Sequence, residues 1–208
     1  MTTKAIVFDL DGVLVDSKEL HYDALNLALN SINEKYVISR QDQEQTFEGM
    51  TTRSKLDILS HTRGLPKELH EYVWTLKQQY SAAMFEDLPL DEELVSIFSH
   101  IKDQGISIGI ASNSIRETLD TCIESLGIWS YIDVSLSNQD VSNPKPNPEI
   151  YNKCMLMLGS APTSTIIFED SLIGRQAARQ SGAFVVEVDS RKDLTVRFVE
   201  SKIVSYFE

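Results

Sequence analysis

Asp9 and Asp11 stand two residues apart in Asp9-Leu-Asp11-Gly12, directly after the apolar run Ala5-Ile-Val-Phe8. A carboxylate that attacks phosphorus splits one difficult displacement into two easier ones through a covalent intermediate, and that role fits Asp9. Asp11, swung round by the turn at Gly12, is placed to protonate a leaving oxygen and later to take a proton from an attacking water. A second acidic pair, Glu169-Asp170, lies far along the chain after another apolar run. Carboxylates gathered in a partly dry site raise one another's pKa, and desolvation adds to the cost, so such a group requires a cation. Oxygen-only donors with no His or Cys pair at short spacing favour Mg²⁺ over Zn²⁺. Lys145 adds a fixed positive charge. With it, Ser112 and Asn113 are the candidate phosphate-binding residues, through the Ser112 hydroxyl and loop amides.

These groups need a frame that brings distant segments together. Ala5–Phe8 is short, continuous, apolar and rich in β-branched residues, as are Ile106–Ala111, Thr165–Phe168 and Ala183–Val188, with Ile132–Leu136 a weaker fifth. Such runs read as buried parallel strands. Helical patterns lie between them, at Leu94, Phe98 and Ile101, at Ile115, Leu119, Cys122, Ile123 and Leu126, and at Ile150, Tyr151, Cys154, Met155 and Leu158. Alternating strand and helix predicts an α/β fold, a Rossmann-like parallel sheet core with helices on both faces. In such a sheet reactive groups collect at the carboxyl ends of the strands, where Asp9, Asp11, Ser112, Asn113, Glu169 and Asp170 all fall and where Lys145 follows in a loop. Asn147 is the expected cap of a helix with Pro148 at its first position, and Gly127 and Gly182 suit helix ends.

Residues 16–85 break the alternation. Apolar spacing at Leu25, Ala28, Leu29 and Ile32, and at Leu69, Tyr72, Val73, Leu76, Tyr80, Ala83 and Met84, is helical with no strand between. The expectation is an all-helical cap over 16–85, inserted in a catalytic core of 1–15 and 86–208, with hinges near Asp16 and from Phe85 to Pro89. The amphipathic tail from Leu194 to Phe207 is expected to pack on the core.

Composition narrows the partners. Nineteen Lys and Arg against 31 Asp and Glu give a formal charge of −12, which repels nucleic acid and anionic membranes. The expected partner is a small phosphorylated metabolite, with no nucleic acid and no membrane, and the expected state a cytoplasmic monomer. The two cysteines, Cys122 and Cys154, sit in apolar helical patterns and read as core.

Four segments together carry a family resemblance. Phe8-Asp-Leu-Asp-Gly-Val-Leu-Val-Asp16, Ala111-Ser-Asn-Ser114, Asn143-Pro-Lys-Pro-Asn-Pro148 and Phe168-Glu-Asp-Ser171 resemble, in order, the four motifs of the haloacid dehalogenase superfamily. The likeness is to its subgroup with a small helical cap, which includes beta-phosphoglucomutase and phosphoglycolate phosphatase. It implies a phosphatase with Asp9 as nucleophile, Asp11 as acid and base, and Ser112 and Lys145 as phosphate ligands. It also implies Mg²⁺ held by Asp9, the main-chain carbonyl of Asp11 and Asp170, with Glu169 as a ligand or acting through water. His21 coincides with a histidine of the mutases, which makes a sugar phosphomutase the alternative. Where that family has an arginine in Gly-Val-Ser-Arg, this chain has Thr52 in Gly49-Met-Thr-Thr52, with Arg53 one position later.

Each residue also has a plainer reading. Asp-x-Asp-Gly is a common turn, Ser112 is a fit cap for a helix starting near Ser114, and Lys145 between prolines is an ordinary surface lysine. Glu169 and Asp170 suit the acidic first turn of a helix. His21, Arg53 and Lys55 fit solvated cap positions equally well.

Overall fold

The computed structural model describes residues 3–47 and 50–207. Five strands form one sheet in the order β3-β2-β1-β4-β5: β1 Ala5–Phe8, β2 Ser107–Ala111, β3 Val134–Leu136, β4 Thr165–Glu169 and β5 Phe184–Glu187. All the pairings are parallel. β1 is central, pairing Ala5 with Ser107 on one side and Thr165 on the other. Its four residues are fully buried, which explains a continuous apolar run where a half-exposed strand would alternate. The chain winds outward from β1 through β2 to β3, then returns to the other side for β4 and β5. The switch in winding direction therefore lies at β1, the place where open α/β sheets leave a crevice at their carboxyl edge.

The chain parts into two compact units, one holding the segment up to Ser17 and from Asp87 onward, the other Lys18–Glu86. In the first, side chains alternate across the sheet. Ala5, Val7 and Ile167 pack with Ile150, Tyr151, Cys154 and Leu158 of α7 (Glu149–Leu158) and with Ala177 and Ala178 of α8 (Leu172–Gln180). On the opposite face Phe8 stacks on Phe98 of α5 (Glu92–Asp103) and on Phe168, and Phe168 meets Phe198 of α9 (Val196–Phe207) edge-on. The tail thus packs on the core, and both cysteines are buried free thiols. α6 (Arg116–Ser125) links β2 to β3, and its end turns at Gly127 with φ +75°. At α7 the expected cap shifts by one residue: Pro148 is the capping residue and the helix starts at Glu149, whose N–H is accepted by the Asn147 side chain at 3.0 Å.

The second unit is all-helical: α1 Lys18–Ile32, one turn α2 Arg40–Asp42, α3 Thr52–Arg63 and α4 His70–Glu86. Leu25, Ala28 and Leu29 build its core with Tyr36, Ile38, Phe47, Leu56, Leu59, Leu65 and Val73. Asn26 pins the chain after α1 by bonding both the N–H and the carbonyl of Ile38. In α4 the buried positions are Val73, Lys77, Ser81 and Phe85, while Tyr72 is exposed. Of the apolar positions read in the sequence, Val73 is buried and Leu76 and Tyr80 pack against this core, while the buried Lys77 and Ser81 are polar and carry no hydrophobic signal. Against the expected cap of 16–85, the helical unit begins two residues later and ends one later. Asp16 and Ser17 belong with the sheet, since Asp16 accepts the Arg191 N–H at 3.1 Å and the Ser17 hydroxyl donates to Asp11. No helix of the described residues is long and apolar enough to cross a membrane.

Gly109 in β2 shows how tightly α7 sits on the sheet, because a Cβ there would lie 2.5 Å from the Cys154 Sγ and 3.1 Å from Leu158 Cδ1. Gly109→Ala is expected to lower stability by about 1–3 kcal/mol through overpacking. Adding Cys154→Ala should make the double variant more stable than the sum of the two losses, read from urea unfolding midpoints.

Candidate active site

The carboxyl ends of β1 and β4 bring two carboxylates to one buried ammonium, that of Lys145, and the end of β2 brings Asn113 to the same residue's main chain. Asp9 continues β1 by donating its N–H to the Phe168 carbonyl at 3.0 Å, so its carboxylate leaves the centre of the sheet. Lys145, whose side chain is 2% exposed, reaches Asp9 Oδ1 at 2.5 Å and Glu169 Oε1 at 2.8 Å. Asp9, Glu169 and Asp170 each offer an oxygen within 4.8 Å of the others. Residues from three distant segments therefore meet in one place.

Each member is held by neighbours. Both oxygens of Glu169 are engaged: Oε1 by Lys145 and the Tyr151 hydroxyl at 3.0 Å, Oε2 by the Ser171 N–H at 2.9 Å and hydroxyl at 3.1 Å. Gly174 lies against this carboxylate, and a Cβ there would fall 1.7 Å from Oε1. Asp170 is approached by Gly12, whose φ of +84° favours glycine and whose missing Cβ would lie 2.1 Å from Oδ2. The Asn113 carboxamide bonds the main chain of Lys145 twice, donating to its carbonyl at 3.2 Å and accepting its N–H at 3.1 Å. The Lys145 ammonium also sits 4.7 Å from the centre of the Tyr151 ring. Asp11 accepts the Ser17 hydroxyl on one oxygen and the Ser114 hydroxyl, at 2.8 Å, on the other.

Ser112 is fully buried, and its Oγ accepts the Ser114 N–H at 3.0 Å. It caps no helix, because α6 begins only at Arg116 after Ile115. Glu169 closes β4, and the cap of α8 is Ser171, so the acidic pair is not a helix first turn.

Sequence reasoning missed Tyr151, Ser17, Ser114 and Gly174. Tyr151 was visible only as one apolar position of α7. The one local signal for Gly174 was a glycine in a helix where alanine would form the helix better.

The electrostatics follow from burial. Desolvation drives the Asp9 carboxyl well above the usual carboxylate range, Glu169 and Asp11 push the same way, and Lys145 alone among these side chains opposes them. Burial by itself would lower the Lys145 pKa, but Asp9, Tyr151 and Glu169 outweigh it and keep the ammonium protonated. Burial likewise raises the Tyr151 phenol, which stays neutral and able to donate. One ammonium among Asp9, Asp11, Glu169 and Asp170 leaves an excess of negative charge. The hard oxygen donors of Asp9, Asp170 and Glu169, with no nitrogen or sulfur in the group, fit a hard divalent cation.

The remaining sequence candidates lie in the helical unit. His21 on α1 meets Phe85 edge-on at 5.7 Å, and its Nδ1 is 3.1 Å from Nζ of the buried Lys77. Thr52 opens α3 behind the cap Thr51. Arg53 is 69% exposed, pairs with Glu71 at 3.4 Å and lies over Trp74 at 5.6 Å. Lys55 bonds Gln43 at 3.1 Å. Gly49 lies outside the described residues.

Known proteins resemble the chain in sequence and in fold. The chain is 27% identical over 180 residues to a phosphorylated carbohydrates phosphatase of Thermotoga maritima, covering 86% of this chain and 82% of the relative. It is 26% identical over 207 residues to beta-phosphoglucomutase of Bacillus subtilis, covering 93% and 89%. In fold it is similar to a haloacid dehalogenase hydrolase of Entamoeba histolytica, with a TM-score of 0.80 at 19% identity over 97% of this chain and 100% of the other. It is also similar to beta-phosphoglucomutase of Clostridium difficile, with a TM-score of 0.75 at 22% identity over 99% of each. The family model for haloacid dehalogenase-like hydrolases matches residues 6–188, nearly the whole sheet and everything inserted in it, and the chain belongs to that family.

Proposed function

We propose that this hydrolase is a Mg²⁺-dependent phosphatase of a small phosphorylated metabolite and that it works through an aspartyl-phosphate on Asp9. The observation that carries the reading is the buried Asp9 carboxylate, anchored by Lys145 at the end of the central strand, with Asp11 two residues on. An Asp9 oxygen attacks phosphorus, and the bond from phosphorus to the leaving oxygen breaks as Asp11 gives that oxygen a proton. Water then attacks the phosphorus of the acyl phosphate, Asp11 takes its proton, and inorganic phosphate leaves with Asp9 restored. The hydroxyls of Ser17 and Ser114 hold Asp11 in place for both steps.

Lys145 and Ser112 bind the phosphoryl oxygens, where positioning and charge dominate this chemistry. A hydroxyl that accepts one bond, as Ser112 does from Ser114, still has one to donate. The Asn113 side chain serves by holding Lys145, and any contact it makes with phosphate falls to its main chain. Asp9, Asp170 and the Asp11 main-chain carbonyl would hold Mg²⁺, with Glu169 beside them, and the ion would supply positive charge against the phosphoryl oxygens.

A second reading, a sugar phosphomutase, is favoured by one observation: the buried Lys77 ammonium holds the half-buried His21, giving the helical unit a polar pair for a sugar hydroxyl. Against it, Arg53 is already engaged by Glu71 and Trp74. A mutase would convert a sugar 1-phosphate to the 6-phosphate faster than it released inorganic phosphate.

Asp9→Asn is expected to cut phosphate release by roughly a thousandfold or more across a panel of phosphorylated metabolites. Wild-type turnover in that variant would remove the mechanism. Chelation should abolish release in the wild type, and added Mg²⁺ should restore it. Gly12→Ala strains a left-handed turn and displaces Asp170, so the Mg²⁺ concentration for half-activation should rise about 10- to 100-fold. A magnesium titration of phosphate release measures this, and an unchanged midpoint would count against Asp170 as a ligand.

A further inference from the structure

The chain leaves the sheet unit once, after Ser17, and returns once, at Asp87. The segments flanking these crossings are gathered by one residue far away in sequence, through its side chain on one segment and its main chain on the other. Arg191 lies in the 3₁₀ turn Arg191–Asp193, with its side chain only 11% exposed. Its guanidinium grips Asp91 in fork geometry, Nε to Oδ2 at 3.0 Å and an Nη to Oδ1 at 2.8 Å, and its other Nη donates to the Leu194 carbonyl at 2.9 Å. Asp91 is the N-cap of α5, accepting the Leu94 N–H at 2.9 Å, so the grip fixes the turn to the start of a core helix. The main-chain N–H of Arg191 in turn donates to Asp16. The next residue, Ser17, is buried and gives its hydroxyl to Asp11. Asp91, Arg191, Asp16 and Ser17 thus form a chain of contacts ending on a carboxylate of the active site.

We propose that Arg191 is a positioning residue for Asp11. Its fork onto Asp91 holds the 3₁₀ turn where the main chain can pin Asp16, and Asp16 sets the segment from which Ser17 orients the acid. The proposal rests on the reading of Asp11 as the proton donor to the leaving oxygen. A cation that only stapled the fold would serve every substrate alike. One that acts through a general acid matters for poor leaving groups and little for good ones, because an aryloxide departs without help.

The test compares kcat/KM for p-nitrophenyl phosphate with that for the best alkyl phosphate in the metabolite panel, since this ratio reports the steps through departure of the leaving group. Arg191→Met keeps much of the stem's bulk without the fork. Asp91→Asn removes the charge but keeps a good helix cap. Asp16→Ala deletes the exposed acceptor and serves if the first variant fails to fold. Each should lower kcat/KM for the alkyl ester about 10- to 100-fold, and for the aryl ester less than about threefold. Combining Arg191→Met with Asp16→Ala should cost no more than the larger single loss. Equal losses on both esters, no loss on either, or additive losses in the double variant would overturn the assignment. Asp9→Asn runs alongside: if it retains turnover, the phosphatase reading itself has failed, independently of Arg191.

Discussion

Buried carboxylates repel one another, and at the end of β1 that repulsion is balanced by a single ammonium. Lys145 lies between Asp9 and Glu169 with almost no solvent to share the charge. Taking three ions out of water costs several kcal/mol each, and their attraction repays this only where geometry is good and the remaining donors and acceptors are filled. The surroundings supply that completion: Tyr151 and Ser171 saturate Glu169, Asn113 fixes the main chain of Lys145, and the Tyr151 ring faces the ammonium. The arrangement is costly as a stabilising device and useful as a chemical one. It holds a carboxylate beside a fixed positive charge at the carboxyl edge of the sheet.

The sheet makes this balance possible. A central strand buried on both faces delivers the residue that follows it, Asp9, to the carboxyl edge of the sheet, where the neighbours β2 and β4 end on either side. Close packing then demands small residues at three contacts that look unremarkable in the chain. Gly109 admits Cys154, Gly12 admits Asp170, and Gly174 admits Glu169. Two of these three glycines make room for an acidic side chain of the site, so the requirement comes from the charges as much as from the backbone.

The helical unit answers to different rules. Its core is an ordinary packing of Leu, Ala, Ile and aromatic residues. Two polar residues nonetheless lie in the buried ridge of α4, and Lys77 is matched with His21 across 56 positions of sequence. A buried lysine needs such a partner. The hydrophobic period found Val73, Leu76 and Tyr80 on the covered side of α4 but had no signal for the two polar residues buried beside them.

The alternation of strand and helix, the inserted helical segment and the position of each acidic pair at a strand end were legible in the sequence alone. Apolar period and turn chemistry are local, and Asp9, Asp11, Glu169 and Asp170 stand immediately after runs that must be buried strands. Only the tertiary structure decided which side chain serves which. Lys145 meets Asp9 from 136 residues away, Ser114 meets Asp11 from 103, and Arg191 meets Asp91 from 100. Tyr151 became a donor to Glu169 although its sequence context marked it only as apolar. A hydrogen bond depends on placement to within a fraction of an ångström, and that placement is set by how whole elements pack, which leaves no trace in the spacing of residues along the chain.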